Sequence, residues 1–444
     1  MSGGAQVRAE LEACLAAALA AVDAGAAVRK VMRRDGDCLE IAGRAVANRS
    51  ELVVLAVGKA AAAMAAAAEG VAGDRIRTGL VITKAGHGLP LARLPLVEAG
   101  HPVPDEGSGD AADRALQLAA GVREQELFLL LLSGGASALV SRPLEGISPA
   151  ELADTTAALL ACGAEIQELN SVRKHLCALA GGRLARAVGA SPIQVLVVSD
   201  VPGDRLDVIG SGPCHSDPST FADALDVLRR RGIIERVPRA VRRHLERGAR
   251  GELEETPKPG DPALARVRTT IVARNRDARD AARETALRRG LRAVELGETL
   301  QGEARQRGRQ LAALGCAVAS QAPVLLIAGG ESTVTLRGSG RGGRNQELAL
   351  AAALALAGRR DVALLSAGSD GSDGPTDAAG AFVDGDTTAR GAALGLDAAS
   401  ALADNDSYTF FDREGGLLRT GPTHTNVMDL VLVHCAGNAA GGRS

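Results

Sequence analysis

The chain has 444 residues, more than the ~250–300 at which one hydrophobic core stops growing, so two domains are expected. Hydrophobic residues make up 46% and charged residues 23%, which excludes disordered and fibrous classes. A net charge of -2, no basic stripe, five Phe, one Tyr and no Trp exclude a nucleic-acid binder, which needs a cationic footprint and stacking faces. The seven cysteines form no C-x-x-C and no zinc spacing, and read as reduced thiols. No basic leader opens the chain and no apolar run reaches ~18 residues, so no membrane partner and a cytoplasmic location are expected.

In chain order, residues 7–32 carry apolar residues at helical spacing and predict one helix. Residues 52–57 predict a buried strand, followed by a Gly58-Lys59 turn and an Ala-rich helix. Further apolar strands are expected at 79–83, 96–99, 128–132 and 195–199. Asn170 to His175 reads as the start of a helix. Continuous apolar strands alternating with helices imply α/β architecture with a parallel sheet covered on both faces. The stretch with Pro257, Pro259 and Pro262 marks a linker over 246–267, dividing the chain into domains 1–245 and 268–444. The second domain is expected to open with a strand at 269–273 and a helix at 277–289. A strand at 292–295, a helix at 302–313, strands at 324–328 and 334–336, a helix to 357 and a strand at 362–366 follow.

The Gly-, Ser-, Asp- and Lys-rich clusters fall just after these strands, where open α/β sheets bind ligands and helix N-termini favour anions. The pattern suggests a phosphorylated substrate in a cleft between the domains. Ser133, Gly134, Gly135 and Ser137 could cradle phosphate or simply form a tight βα turn. Gly58-Lys59 resembles the end of a Walker A motif, but Val53 and Ala60 replace its first glycine and its hydroxyl, so that reading fails. Lys59 still stands where a strand meets a helix, suited to an anion. Gly338 to Gly343 satisfies G-x-G-x-x-G with Asp370 downstream, the strongest case for a nicotinamide enzyme. Against it, Arg341 and Arg344 in and beside that fingerprint suit a polyphosphate. Asp370, Asp373 and Asp377 form one acidic loop and Asp200, Asp204 and Asp207 another, each matched to magnesium or to a solvated turn. Arg173 and Lys174, near a helix start, would call for an anion there. No histidine pair completes a hydrolase triad.

Together these loops resemble the glycerate 2-kinase family, whose C-terminal half is the MOFRL domain. The resemblance rests on VGKAA (57–61), EAGHPVPDEGS (98–108), LLSGGASAL (131–139), NSVRKHL (170–176) and SDVPGDRLDVIGSGP (199–213). GGES (329–332), GGRNQELAL (342–350) and SAGSDGSDGPTDAAGA (366–381) extend it in order along the chain. It implies a Rossmann-like N-terminal domain, a smaller α/β MOFRL domain, and ATP-dependent phosphorylation of the D-glycerate 2-hydroxyl with Mg2+. By that likeness Lys59 and Arg344 are the catalytic cations. Ser133, Gly134, Gly135, Ser137, Gly340, Arg341 and Gly343 would bind the nucleotide phosphates. Arg173 or Lys174, with Glu331, would hold glycerate, and magnesium would draw on Asp200, Asp204, Asp370 and Asp373. The alternative is an NAD(P)H-dependent hydroxypyruvate reductase, a label this family has carried; a nucleotide-binding sensor without turnover is a third. The resemblance leaves a homodimer open.

Overall fold

The computed structural model describes residues 3–47, 50–319 and 323–436. The chain divides into two compact units: Ala24–Val272 forms the first, while Met1–Asp23 and Ala273–Ser444 form the second. The helix Gly3–Ala21 therefore belongs with the C-terminal unit. Where one helix was expected there are two, Gly3–Ala21 and Ala24–Val31, and the break between them is the boundary of the units. A three-stranded antiparallel meander follows (Met32–Asp35, Cys38–Ile41, Arg44–Val46), which the sequence reading missed. Among the described residues no single helix is long and apolar enough to cross a membrane.

The first unit is built on six strands: β1 (Leu52–Val57), β2 (Ile76–Lys84), β3 (Leu96–Ala99), β4 (Leu127–Leu132), β5 (Ile193–Val198) and β6 (Val267–Ala273). Their spatial order is β3-β2-β1-β4-β5-β6, and the pairings from β3 through β5 are all parallel. This order reverses direction between β1 and β4, the switch point at which doubly wound sheets open a crevice. β1, β4 and β5 are buried almost throughout, as expected of strands covered on both faces. With so few aromatics, close approach replaces bulk. The helix Ala61–Ala72 presents mostly alanine to the sheet, and a Cβ at Gly79 would stand 2.4 Å from the Val54 carbonyl oxygen. β6 closes this first sheet instead of opening the second unit. The proline-rich stretch is likewise no free linker. Thr256 is buried, the Pro257 carbonyl accepts from Asp217 N, and Asp261 pairs with Arg186 at 2.7 Å.

The second unit carries β7 (Arg292–Leu300), β8 (Val324–Gly330), β9 (Val362–Gly368), β10 (Gly380–Asp384), β11 (Leu417–Leu418) and β12 (Asp429–Cys435). The order is β7-β8-β12-β9-β10-β11, and only β7 and β8 are parallel; β12 runs antiparallel between β8 and β9. The expected α/β unit is thus present with a mixed sheet. No strand forms at 334–336, where Thr333 makes an isolated bridge to Glu303. Helix Ala304–Ala319 crosses helix Arg344–Ala355 at Gly308, where a Cβ would lie 2.1 Å from the Leu348 carbonyl oxygen.

Candidate active-site loops

In the first unit, β1, β2 and β4 end level, Val57 lying beside Ile82 and Leu132. The loops beyond them are stitched together. Ser133 N donates to the Val57 carbonyl (3.0 Å) and Lys59 N to the Gly134 carbonyl (2.9 Å), while Thr83 Oγ1 donates to the Gly58 carbonyl (3.0 Å). Gly58 has φ +129°, and a Cβ there would lie 2.1 Å from Ser133 Oγ, so only glycine permits this approach. The Lys59 backbone is thereby fixed at the switch point. A Cβ on Gly135 would meet His101 Cδ2 at 3.0 Å and Lys59 Cγ at 3.4 Å, so lysine stem, imidazole and glycine converge.

Ser133 is fully buried, and its hydroxyl accepts Ala60 N–H at 3.0 Å, satisfying a donor at the start of helix Ala61–Ala72. It works beneath the loop instead of facing a phosphate. Ser137 shares a hydrogen bond with Ser211 (Oγ to Oγ, 2.8 Å), and Arg173 Nη2 donates to the Ser137 carbonyl (3.1 Å). Arg173, Ser137, Gly210 and Ser211 border a cavity of about 30 Å³, room for one water.

The motif containing Arg173 ends the helix Ile166–Lys174 instead of starting one. Cations in a last turn complement the macrodipole, so their placement calls for no bound anion. Lys174 is buried with its Nζ 3.4 Å from Asp217 Oδ1 and 3.6 Å from Asp207 Oδ2. Its single charge is shared between those two acids inside the unit. Burial would raise the Asp207 carboxyl, yet Arg205 and Lys174 hold it below its ordinary value. Beside it, His175 Nε2 lies 3.0 Å from Glu255 Oε2. Burial opposes the Glu255 charge, but His175, Phe221 N–H and Lys258 pull that carboxyl down to about 2. Asp200 and Asp204 follow β5 in a turn closed by Asp204 N donating to the Val201 carbonyl.

In the second unit, the antiparallel register sets Asp429, first residue of β12, between Gly330 at the end of β8 and Gly368 at the end of β9. Arg344 opens the helix Arg344–Ala355 and donates to Asp429 twice, Nε to Oδ2 at 2.6 Å and Nη2 to Oδ1 at 2.9 Å. Its Nη1 lies 2.6 Å from Glu331 Oε1. Such a bidentate pair fixes the plane of the guanidinium. Burial works against its charge, but Asp429 and Glu331 outweigh that and hold its pKa above the ordinary value. Asn275 Nδ2 in turn donates to the Val427 and Asp429 carbonyls at 2.8 and 3.1 Å. The sequence reading singled out neither Asp429 nor Asn275.

The glycine fingerprint is put to a different use from the one expected. The N–H groups of Arg337 and Gly338 donate to Asn405 Oδ1, Ser339 N–H to Asp404 Oδ1, Gly340 N–H to the Asp404 carbonyl, and Arg341 N–H to Asp406 Oδ1. The Arg341 guanidinium stacks 4.3 Å over the Tyr408 ring and donates to the Pro375 carbonyl. Donors that would cradle a phosphate are thus taken by a neighbouring acidic turn, and Gly340 and Arg341 are corrected to structural positions. Gly343 makes room for Asp373: a Cβ there would stand 2.3 Å from the Asp373 Cγ.

Asp373 is buried and caps the helix, accepting Asn345 N–H (3.1 Å), Gln346 N–H (2.8 Å) and Gln346 Nε2 (3.1 Å). Burial pushes its carboxyl up to about 6 against those donors. Asp370 Oδ1 closes a turn on Ser372 N and Oγ at 3.0 and 3.1 Å. Asp377 pairs at the surface with Tyr408 Oη and Arg419. No group of three or more His, Cys, Asp or Glu among the described residues could hold a metal ion. With Asp373 committed to its cap, the four expected acids do not fit a resident magnesium.

Two α/β units, one placing Lys59 just past a strand end and the other fixing the Arg344 guanidinium, have the make-up of an enzyme acting on small anions. Comparison with known proteins narrows the class. Residues 10–246 match the model "Domain of unknown function (DUF4147)" and residues 324–429 the MOFRL family. The chain is 46% identical over 393 residues to D-glycerate 2-kinase of Thermotoga maritima, covering 87% of this chain and 91% of that one. To glycerate 2-kinase of Pyrococcus horikoshii it is 41% identical over 421 residues, covering 94% of each. The crystal structure of Thermotoga maritima glycerate kinase superposes with a TM-score of 0.83 at 41% identity, covering 97% of this chain and 100% of that one. Hydroxypyruvate reductase names also occur among the relatives, in Agrobacterium vitis. The chain belongs to the glycerate 2-kinase family.

Proposed function

We propose that this protein is an ATP-dependent glycerate 2-kinase, transferring the γ-phosphoryl group of ATP to the 2-hydroxyl of D-glycerate to give 2-phospho-D-glycerate and ADP. The observation that carries the reading is the 46% identity to D-glycerate 2-kinase along 87% of the chain. Phosphoryl transfer asks chiefly for positioning and charge stabilisation. Lys59, its backbone held by the β2 and β4 loops, supplies one cation to the transferring group. Arg344, set in plane by Asp429, supplies another, with a phosphate oxygen replacing Glu331 at Nη1. Gly134, Gly135 and Ser137 remain the candidates for nucleotide contacts, and Arg173 for the glycerate carboxylate. With Asp373 serving as a cap, Asp200, Asp204 or Asp370 is left to accept the hydroxyl proton. No step runs through a resident metal.

The reductase reading is weakened by the fingerprint loop, whose N–H groups face Asp404 and Asp406 and whose surroundings would repel a pyrophosphate. Phosphorus NMR of the purified protein with D-glycerate, ATP and magnesium should show 2-phosphoglycerate and ADP. A 3-phosphoglycerate signal would overturn the regiochemistry. NADH oxidation with hydroxypyruvate, and no phosphorylated product, would replace the kinase with the reductase.

A further inference from the structure

The first unit has a second concave site, at the end of its sheet opposite the loops just described. A cavity of about 360 Å³ lies where β4 and β5 begin and β6 enters, bordered by Leu127, Ile193 and Val46 and by three arginines, Arg44, Arg266 and Arg268. Its size falls in the range of small-molecule sites. β4 runs six residues from this cavity to Ser133, about 20 Å at strand rise, so the two sites are separate.

Its charge sets it apart. Several arginines elsewhere in this unit meet acids: Arg186 pairs with Glu254 and Asp261, Arg205 with Asp207, Arg231 with Glu168, and Arg242 with Glu235. Among the described residues no Asp or Glu borders this cavity. Arg266 Nη2 donates to the Gly189 carbonyl, while its buried Nε has no partner. In a chain of nearly balanced charge, three arginines bordering one hollow beside Val46, Leu127 and Ile193 favour an anion as its occupant.

We propose that this cavity binds a small organic phosphate, a phosphate monoester whose apolar body lies against Val46, Leu127 and Ile193 while its charge meets the three arginines. The proposal stands apart from the kinase reading and survives its failure. The test is calorimetric titration of the full chain with phenyl phosphate, inorganic phosphate and benzyl alcohol. Lys59→Ala provides a background in which one of the active-site phosphate contacts proposed above is removed.

Phenyl phosphate should bind most tightly, and Lys59→Ala should keep that binding. Arg44→Glu with Arg268→Glu should weaken it by about tenfold per guanidinium lost, with turnover unchanged. Should the double reversal unfold, the single Arg44→Gln and Arg268→Gln variants should each weaken it about tenfold. Folded variants that bind phenyl phosphate as the parent does would overturn the site. Benzyl alcohol binding equally well would overturn the role of the arginines, and inorganic phosphate doing so would overturn the apolar wall. Loss of binding in Lys59→Ala would return the ligand to the β1 loop and remove this site.

Discussion

Two glycine-rich turns, one in each unit, follow apolar strands and precede helices, yet they do different things. In the first unit Gly58 and Gly135 draw the β1 and β4 loops together and leave Lys59 held among them. In the second, Gly338, Gly340 and Gly343 admit Asp404, Asp406 and Asp373, whose acceptors occupy the loop's N–H groups or cap the next helix. A glycine reports that something approaches closely. What approaches, backbone, carboxylate or ligand, depends on a partner remote in sequence.

The comparison can be broken most directly at Lys59. If the first turn exists to present that side chain, Lys59→Ala should reduce kcat by about 10²–10³ while the melting temperature stays put. A variant with half the parent's kcat would make the first turn as structural as the second. Asp429→Asn should come next: the guanidinium plane loses a charged acceptor, and kcat should fall by up to about 10²-fold with a smaller change in KM. Steady-state kinetics at saturating ATP measure both, and an unaltered kcat would detach Arg344 from the reaction.

For the second turn the expected loss is of stability. Asp373→Ala leaves buried helix donors unsatisfied and should cost about 2 kcal/mol in denaturant unfolding. The magnesium dependence of its remaining activity should match the parent's; a raised magnesium requirement would return Asp373 to metal binding.

A pH slope sharpens the same comparison. Asp373 titrates near 6 when folded against 3.8 unfolded, so its contribution is fully present below 3.8 and is lost as pH rises through about 6. Relative to Asp373→Asn, the parent should therefore lose stability over that interval. Glu255 has the opposite sign, with a folded value of about 2 against 4.5, and its contribution disappears as pH falls below 4.5. Unfolding curves of the two Asp/Glu→Asn/Gln variants across this range would separate a carboxylate held by cations from one held by neutral donors.

What was legible followed from local pattern. β1 and β3 fall at 52–57 and 96–99, as their apolar runs and flanking glycines require, and the loops beyond them were found because such loops need special residues. What was illegible depended on direction or on distant partners. Residues 170–175 look alike at either end of a helix, and only Glu165 at the true N-cap shows that the cations lie in the last turn. Asp429 begins an apolar strand, but nothing local says that this strand runs backwards and so delivers its first residue to the end of the sheet where its neighbours finish. The Asp404 to Asp406 turn reads as solvated polar residues until the 338–343 loop is seen lying on it.

The helix Gly3–Ala21 is built into the second unit. Arg8 Nη1 donates to the Gly415 carbonyl at 3.0 Å, and the Val22 carbonyl just beyond the helix accepts Thr425 Oγ1 at 2.6 Å. On the ribosome this helix emerges ahead of the first unit, yet its partners are made only after the whole first unit has been synthesised. The first unit has all six strands of its sheet by Ala273. The second must close a loop the size of a domain, and until it does its N-terminal helix carries Leu11, Leu15 and Ala18 without cover. Chain termination before residue 429 would therefore strand that helix as well as the centre of the second sheet, making the nascent chain most open to aggregation late in synthesis.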